Sequence, residues 1–233
     1  MENDRAPAIR VVVAADLSPG RRDALHQLFD DTYERADHVY LDGAFEMFRF
    51  AALAVLADGD VPGTRGKRER IVGFALGESR GVELPHLSLH TVALAGLCCV
   101  DAAYRRDGLF RTLEMRAVTE GMTPNRGRVL AAGRMAHPAS FRVMRHHAGA
   151  LPRPGRTPSP VQQAVARAIA DCYAVDDFDP VTFACRGRGH PIGTPRVAVE
   201  ATEEEWELFE NIDRDRGDSL LALCWMPDAP PGW

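Results

Sequence analysis

Lysine is almost missing: of the 28 basic side chains only Lys67 is a lysine, a compositional bias that carries no functional reading. A basic excess is missing as well. The 28 Lys and Arg face 33 Asp and Glu, for a formal charge of −5, so there is no global electrostatic footprint for nucleic acid. Long apolar runs are also missing. The longest, 50–57, falls far short of the ~20 residues that cross a bilayer. The opening MENDRAPAIR is charged and lacks the apolar core of a secretory signal. Cysteine is sparse and odd in number, at 98, 99, 172, 185 and 224, with no C-x-x-C pair. A disulfide framework or zinc ribbon is thereby disfavoured, and a reducing cytoplasm is the expected compartment. No internal repeat and no low-complexity tract is present. The expected partners therefore include neither nucleic acid nor a membrane.

What is there suits a globular protein. Hydrophobic residues make up 45% and charged residues 26% of 233 residues, enough for a sizeable core in one large domain or one domain with an extension. The run 9–15 is β-branched and reads as a strand. Ser18-Pro19 reads as an N-cap with proline at the first helical position, opening a helix to about Tyr33. Phe45, Phe48, Ala51, Ala52 and Val55 recur at helical spacing and predict a second helix to about Ala57. Residues 58–70, rich in glycine and charge, read as a loop. Strands are expected at 71–77, more weakly at 83–90, and at 91–100 (TVALAGLCCV), which is apolar on both alternating faces and so central. A helix follows, with Leu109, Phe110, Leu113 and Ala117 on its apolar face and Arg111, Glu114 and Arg116 opposite. Then come a short strand at 128–132 and a helix after His137-Pro138.

The segment 151–160 (LPRPGRTPSP) has four prolines and reads as an extended connector. Beyond it Val161, Ala164, Val165, Ala168, Ile169 and Cys172 mark an amphipathic helix. Residues 181–185 and 220–225 read as strands, and Thr202-Glu-Glu-Glu205 as a capping box. Alternating strands and helices place the chain in the α/β or α+β class.

Chemistry concentrates in residues 100–111, VDAAYRRDGLFR. A buried strand stops, a turn with arginines and a glycine follows, and a helix begins at once. A helix N-terminus offers unpaired N–H groups and the positive end of its dipole, so this turn reads as an anion site, or else as an ordinary tight turn. The segment resembles motif A of the GNAT superfamily of acyl-CoA-dependent N-acetyltransferases. Val100, Tyr104, Arg105 and Gly108 fill the matching positions, while Phe110 stands for the last Gly/Ala and Ala102 for a turn proline. A large side chain in a helix's first turn can point into the core and leave the backbone open to a pyrophosphate. The order of elements agrees over residues 9–149.

The resemblance implies a mostly antiparallel mixed sheet flanked by helices, with residues 1–150 as the acyl-CoA-binding core. Residues 151–233 would be an extension that completes or packs on the same domain. Acetyl-CoA would be the co-substrate. Its pantetheine arm would lie where strand 92–100 splays from 128–132, against the backbone of Cys98 and Val100. Its pyrophosphate would sit on Arg105, Arg106, Asp107, Gly108, Phe110 and Arg111. A small primary amine would attack the thioester directly. Such enzymes often use a glutamate near the central strand as base, but 92–100 carries no acid, so Glu83, His86 and His90 are the nearest candidates, with Glu83 and His90 preferred. Hairpin surface is the competing reading for the two histidines. The tyrosine such enzymes often carry on the helix after the next strand has no counterpart in HPASFRVMRHH.

Three further clusters invite chemistry. Cys98-Cys99 suggests a nucleophile, yet adjacent strand residues face opposite ways and free cysteine commonly fills cores. His146-His147 suggests a metal pair, but neighbours on a helix diverge by ~100°, and no metal is expected. The acidic set Asp30, Asp31, Glu34, Asp37, Asp42 and Glu46 falls on the link that would roof an acceptor pocket, favouring a cationic amine, or forms a solvated helix face. Two rivals to the acyltransferase remain: a catalytically silent acyl-CoA-binding module, and a Cys–His acyltransferase or hydrolase.

Overall fold

A computed structural model describes residues 6–57, 69–105, 108–122, 127–147, 149–197 and 199–233. In chain order the elements are β1 (Ala8–Val13), α1 (Pro19–Thr32), β2 (Tyr33–Glu34), α2 (His38–Met47), β3 (Phe50–Ala57), β4 (Glu69–Leu84) and β5 (Ser88–Val100). They continue with α3 (Leu109–Thr119), β6 (Val129–Met135), α4 (Pro138–Phe141), α5 (Pro160–Cys172), β7 (Phe178–Asp179), β8 (Ala184–Cys185), β9 (Thr194–Pro195), α6 (Glu203–Glu207) and β10 (Ser219–Met226). Eight strands form one sheet in the order β1-β3-β4-β5-β6-β10-β8-β7, and β2 pairs with β9 apart from it. The described pairings in the large sheet are antiparallel except β5–β6. The fold is thus a mixed, mostly antiparallel sheet with helices. No helix among the described residues is long and apolar enough to cross a membrane.

One expectation fails outright. The helix expected to reach Ala57 ends at Met47, and 50–57 is the strand β3, paired with both β1 and β4. The reason is burial. Ala51 to Val55 is buried throughout, so both faces of β3 are apolar, and a continuous apolar run satisfies a 3.6-residue spacing as readily as a spacing of two. The expected strands 71–77 and 83–90 also differ. β4 is continuous to Leu84, and the turn at 85–87 separates it from β5, with Leu87 N–H donating to Leu84 O at 3.0 Å. The helix after His137 is a single turn, and the strand at 181–185 shrinks to the two-residue β8.

The chain divides into two compact units, and the division passes within β4 and β5. The first takes Met1–Thr32, His38–Glu78 and Gly96–Glu120. Its core joins Ala52, Ala54, Val72, Ala75, Cys98 and Val100 of the strands to Leu109, Leu113 and Ala117 of α3. Packing is close at Gly73, where a Cβ would lie 2.9 Å from Leu113 Cδ1 and 3.3 Å from Cys99 O. In the same unit α1 and α2 are tied by two crossed pairs: His26 Nε2 with Asp42 at 2.9 Å and His38 Nε2 with Asp30 at 2.8 Å.

The second unit takes Tyr33–Asp37, Ser79–Ala95 and Gly121–Trp233. Here β10, buried along nearly its whole length, pairs with β6 from Leu220↔Met135 to Met226↔Val129. Helix α5 opens on a capping box: Ser159 Oγ accepts from Gln162 N–H at 3.2 Å and Gln162 Oε1 accepts from Ser159 N–H at 2.9 Å. Its buried stripe, Val165, Ala166, Ile169 and Ala170, continues into Tyr173. The sequence-based stripe ended instead at Cys172, which is only half-buried. The capping box expected at Thr202 opens α6, and Glu205 within it also takes Arg142 and Arg145, at 2.6 and 2.7 Å.

Candidate functional site

The strand-to-helix turn of the first unit is built as follows. β5 ends at Val100, and Asp101 N–H donates to Val72 O at 2.9 Å, holding the exit beside β4. The Asp101 carboxylate accepts from Ala103 N–H and from Arg70 Nη2, both at 3.0 Å. Arg105 folds back, and its Nε donates to Val100 O at 2.9 Å. The next two residues of the motif, Arg106 and Asp107, lie outside the described residues.

Gly108 then caps α3 with φ 70° and ψ 10°. That left-handed conformation is one that glycine adopts without cost and most side chains avoid. A Cβ at Gly108 would meet nothing within 4 Å among the described residues. Thr112 N–H and Oγ1 both donate to Gly108 O, at 3.0 and 3.1 Å, closing the first turn. The N–H groups of residues 109–111 come before Thr112, the first intrahelical donor. Phe110, where the resembled motif has a small residue, packs against the core cluster beneath α3. Its bulk is therefore turned inward, and Arg111 is exposed.

Cys98 and Cys99 face opposite sides of β5. Cys98 Sγ lies 4.0 Å from Phe110 O, and burial raises its thiol well above the ordinary value, with the Glu114 charge adding to the effect. Burial pushes Cys99 up to about 12, opposed by a hydrogen bond with Thr32. Neither environment favours a thiolate, which a cysteine nucleophile requires.

The spacing puts Glu114 with Arg111 and Arg116 opposite the apolar face of α3, and the structure corrects that placement. Glu114 is half-buried, and loss of hydration pushes its carboxyl up to about 8. Its position did carry a signal, since residues 110, 114 and 117 share one stripe at i, i+4 and i+7.

The second unit holds Glu83, exposed near the end of β4, and His90, half-buried near the start of β5. His90 Nε2 donates to Leu87 O at 2.9 Å, so Nδ1 is its basic nitrogen, and its ring stands edge-on to Trp225 at 5.1 Å. Along β5, eight residues separate His90 from Cys98, about 26 Å of strand. Glu83 and His90 thus flank the turn between β4 and β5, whereas Cys98 and Val100 lie at the other end of β5, which leads to Arg105, Gly108, Phe110 and Arg111.

The parallel pairing of β5 with β6 runs from Thr91↔Val129 to Ala95↔Gly133, and β5 itself runs on to Val100. The acidic link is engaged as well. Asp37 meets His190 at 3.3 Å, Arg35 pairs with Asp215, and Glu34 stands opposite Thr194 in the β2–β9 pair. Glu46 of the first unit is exposed.

No family model and no curated protein matches the chain. Among solved structures it is similar to several N-acetyltransferases at low identity. One is Arabidopsis thaliana NAA60 in complex with a bisubstrate analogue: 14% identity, 94% of this chain and 99% of that one, TM-score 0.45. A second is the ribosomal-protein-S18-alanine N-acetyltransferase of Escherichia coli: 11% identity, 97% and 99% coverage, TM-score 0.41. A third is a GNAT family N-acetyltransferase of Escherichia coli in complex with CoA: 17% identity, 61% and 71% coverage, TM-score 0.37.

Proposed function

We propose that this chain is an acyl-CoA-dependent N-acyltransferase of the GNAT type, passing an acetyl or short acyl group from acetyl-CoA to a small primary amine. The observation that carries the reading is the strand-to-helix turn. A central strand ends at Val100, a left-handed Gly108 caps α3, and Phe110 packs against the core cluster. That geometry suits a diphosphate, because early helical amides and the helix dipole favour negative charge and a Cβ at Gly108 would meet no described residue within 4 Å.

In this reading the pyrophosphate binds at Arg105, Arg106, Asp107, Gly108, Phe110 and Arg111, and the pantetheine arm bonds the backbone of Cys98 and Val100. The neutral amine attacks the thioester carbonyl, the C–N bond forms, and the C–S bond breaks to release the coenzyme A thiolate. A strand N–H stabilises the tetrahedral oxyanion. The amine's proton goes to Glu83 or to His90 Nδ1 through a chain of waters, since both stand at the hairpin end of β5. A cationic acceptor is drawn by the carboxylates of the link, Glu34 and Asp37, and by Glu46.

A second reading, a silent acyl-CoA-binding module, is favoured by one observation: His90 is held by Leu87 O and packed on Trp225, and Glu83 is exposed. One experiment separates the two. The protein is incubated with acetyl-CoA and a panel of cationic, neutral and anionic amines, and free thiol is measured. Amine-dependent thiol release supports the enzyme, and CoA binding with no release on any amine supports the module. Equal rates on all three amine classes remove the electrostatic part alone. A stable acylated protein by intact mass contradicts direct transfer.

A further inference from the structure

Tyr173 is 3% exposed, and its hydroxyl oxygen lies 2.9 Å from Ala95 O and 2.9 Å from Ala132 O. Those carbonyls belong to the two parallel neighbours, one on β5 and one on β6. They stand where the pairing ends, at Leu94↔Ala132 and Ala95↔Gly133. In a continuing parallel ladder, alternate carbonyls of each strand take N–H groups from a given neighbouring strand. Here a phenol supplies a donor at the last rung. The hydroxyl has one proton, so it donates to one carbonyl at a time. Tyr173 is held where α5 stops, its N–H donating to Ala170 O at 3.0 Å, and the buried stripe of α5 fixes the approach of the ring.

We propose that Tyr173 is a positioning residue that ends the β5–β6 ladder at Ala95 and so fixes where the backbone of β5 becomes available to an acyl-thioester ligand. The inference rests on the proposed function, in which the coenzyme arm uses β5 at Cys98, three residues and about 10 Å beyond Ala95. It also gives residues 151–233 a part in the chemistry that the motif alone does not suggest. The hydroxyl acts through the strands and does not deliver a proton to the reaction. Losing its proton would set an anionic oxygen against two carbonyl oxygens.

Tyr173→Phe keeps the ring and deletes the donor. The expected result is a KM for acetyl-CoA at least tenfold higher, with kcat within threefold of wild type. Incorporating 4-aminophenylalanine at position 173 restores a donor at the same reach and should return KM to within threefold of wild type. A role confined to stability would lower the melting temperature without this split. An unchanged KM in folded Tyr173→Phe, or a 4-amino variant that behaves like Phe, overturns the proposal.

Hydrogen exchange on the wild-type protein gives an independent reading that needs no variant. Coenzyme A should slow amides from Gly96 to Val100 at least fivefold and leave Val92–Ala95 within twofold. Slowing that extends through Val92–Ala95 overturns the proposal while leaving the proposed function standing. Calorimetry that finds no coenzyme A binding to wild type overturns the proposed function itself, and the positioning role with it.

Discussion

Replacing Gly108 separates what the turn needs for folding from what it needs for binding. The residue has φ 70°, and a Cβ there would touch nothing within 4 Å among the described residues. The folding cost of a side chain is therefore conformational and not steric. A left-handed residue costs most L-amino acids ~1–2 kcal/mol, while Asn tolerates it best. At about 2–4 °C per kcal/mol for a chain of this size, Gly108→Val should lower the melting temperature by about 2–8 °C. Gly108→Asn should stay within about 2 °C. Coenzyme A binding should respond differently. Any Cβ projects into the open space through which a pyrophosphate would approach the early amides of α3. Losing one or two charge-assisted hydrogen bonds costs ~1–3 kcal/mol, or roughly 5- to 150-fold in Kd. The Asn variant is the decisive one, since its fold is preserved and its backbone is obstructed. Calorimetry showing wild-type affinity in a Gly108→Asn protein that melts like wild type would refute the phosphate site. A Gly108→Val protein as stable as wild type would refute the left-handed turn.

Three other outcomes follow from particular side chains. Burial holds the Glu114 carboxyl near 8, above its unfolded value, so wild-type stability should fall as pH rises from about 4.5 through 8; Glu114→Gln should flatten that slope by on the order of a few kcal/mol, read from urea midpoints at pH 5 and pH 9. Glu205 is held down to about 2 by hydrogen bonding to Arg142, with Thr202 N–H and the Arg145 charge adding to it, so its contribution is present above about 4.5 and lost as pH falls toward 2; Glu205→Gln should remove that part of the acid-unfolding curve, and an unchanged curve would contradict it. We propose that residues 151–233 complete the same folding unit as 1–150: truncation after Pro154 removes β10 from beside β6 and should leave an insoluble chain, and a soluble fragment that melts cooperatively would refute this.

The elements that the sequence announced best are those whose signals are local. Ser18-Pro19 opens α1, Thr202 to Glu205 closes a capping box, and Gly108 ends the turn before α3. Each depends on contacts within four residues, which periodicity and capping chemistry encode directly. β3 failed because Ala51 to Val55 is buried on both faces, and no spacing rule distinguishes a strand from a helix in such a run. The link between α1 and α2 was legible as acidic but not as engaged. Asp30 meets His38 eight residues on, Asp42 meets His26 sixteen back, and Asp37 meets His190 from the far end of the chain.

Tyr173 shows the limit most sharply. Its partners are backbone carbonyls 78 and 41 residues away, and a carbonyl has no sequence signature. What the sequence did offer was its register, four residues beyond Ile169 and eight beyond Val165, on the buried stripe of α5. A tyrosine at the end of such a stripe must bring its hydroxyl into the core, where a polar group needs a partner. For Tyr173 that partner is the backbone at the last rung of β5 and β6.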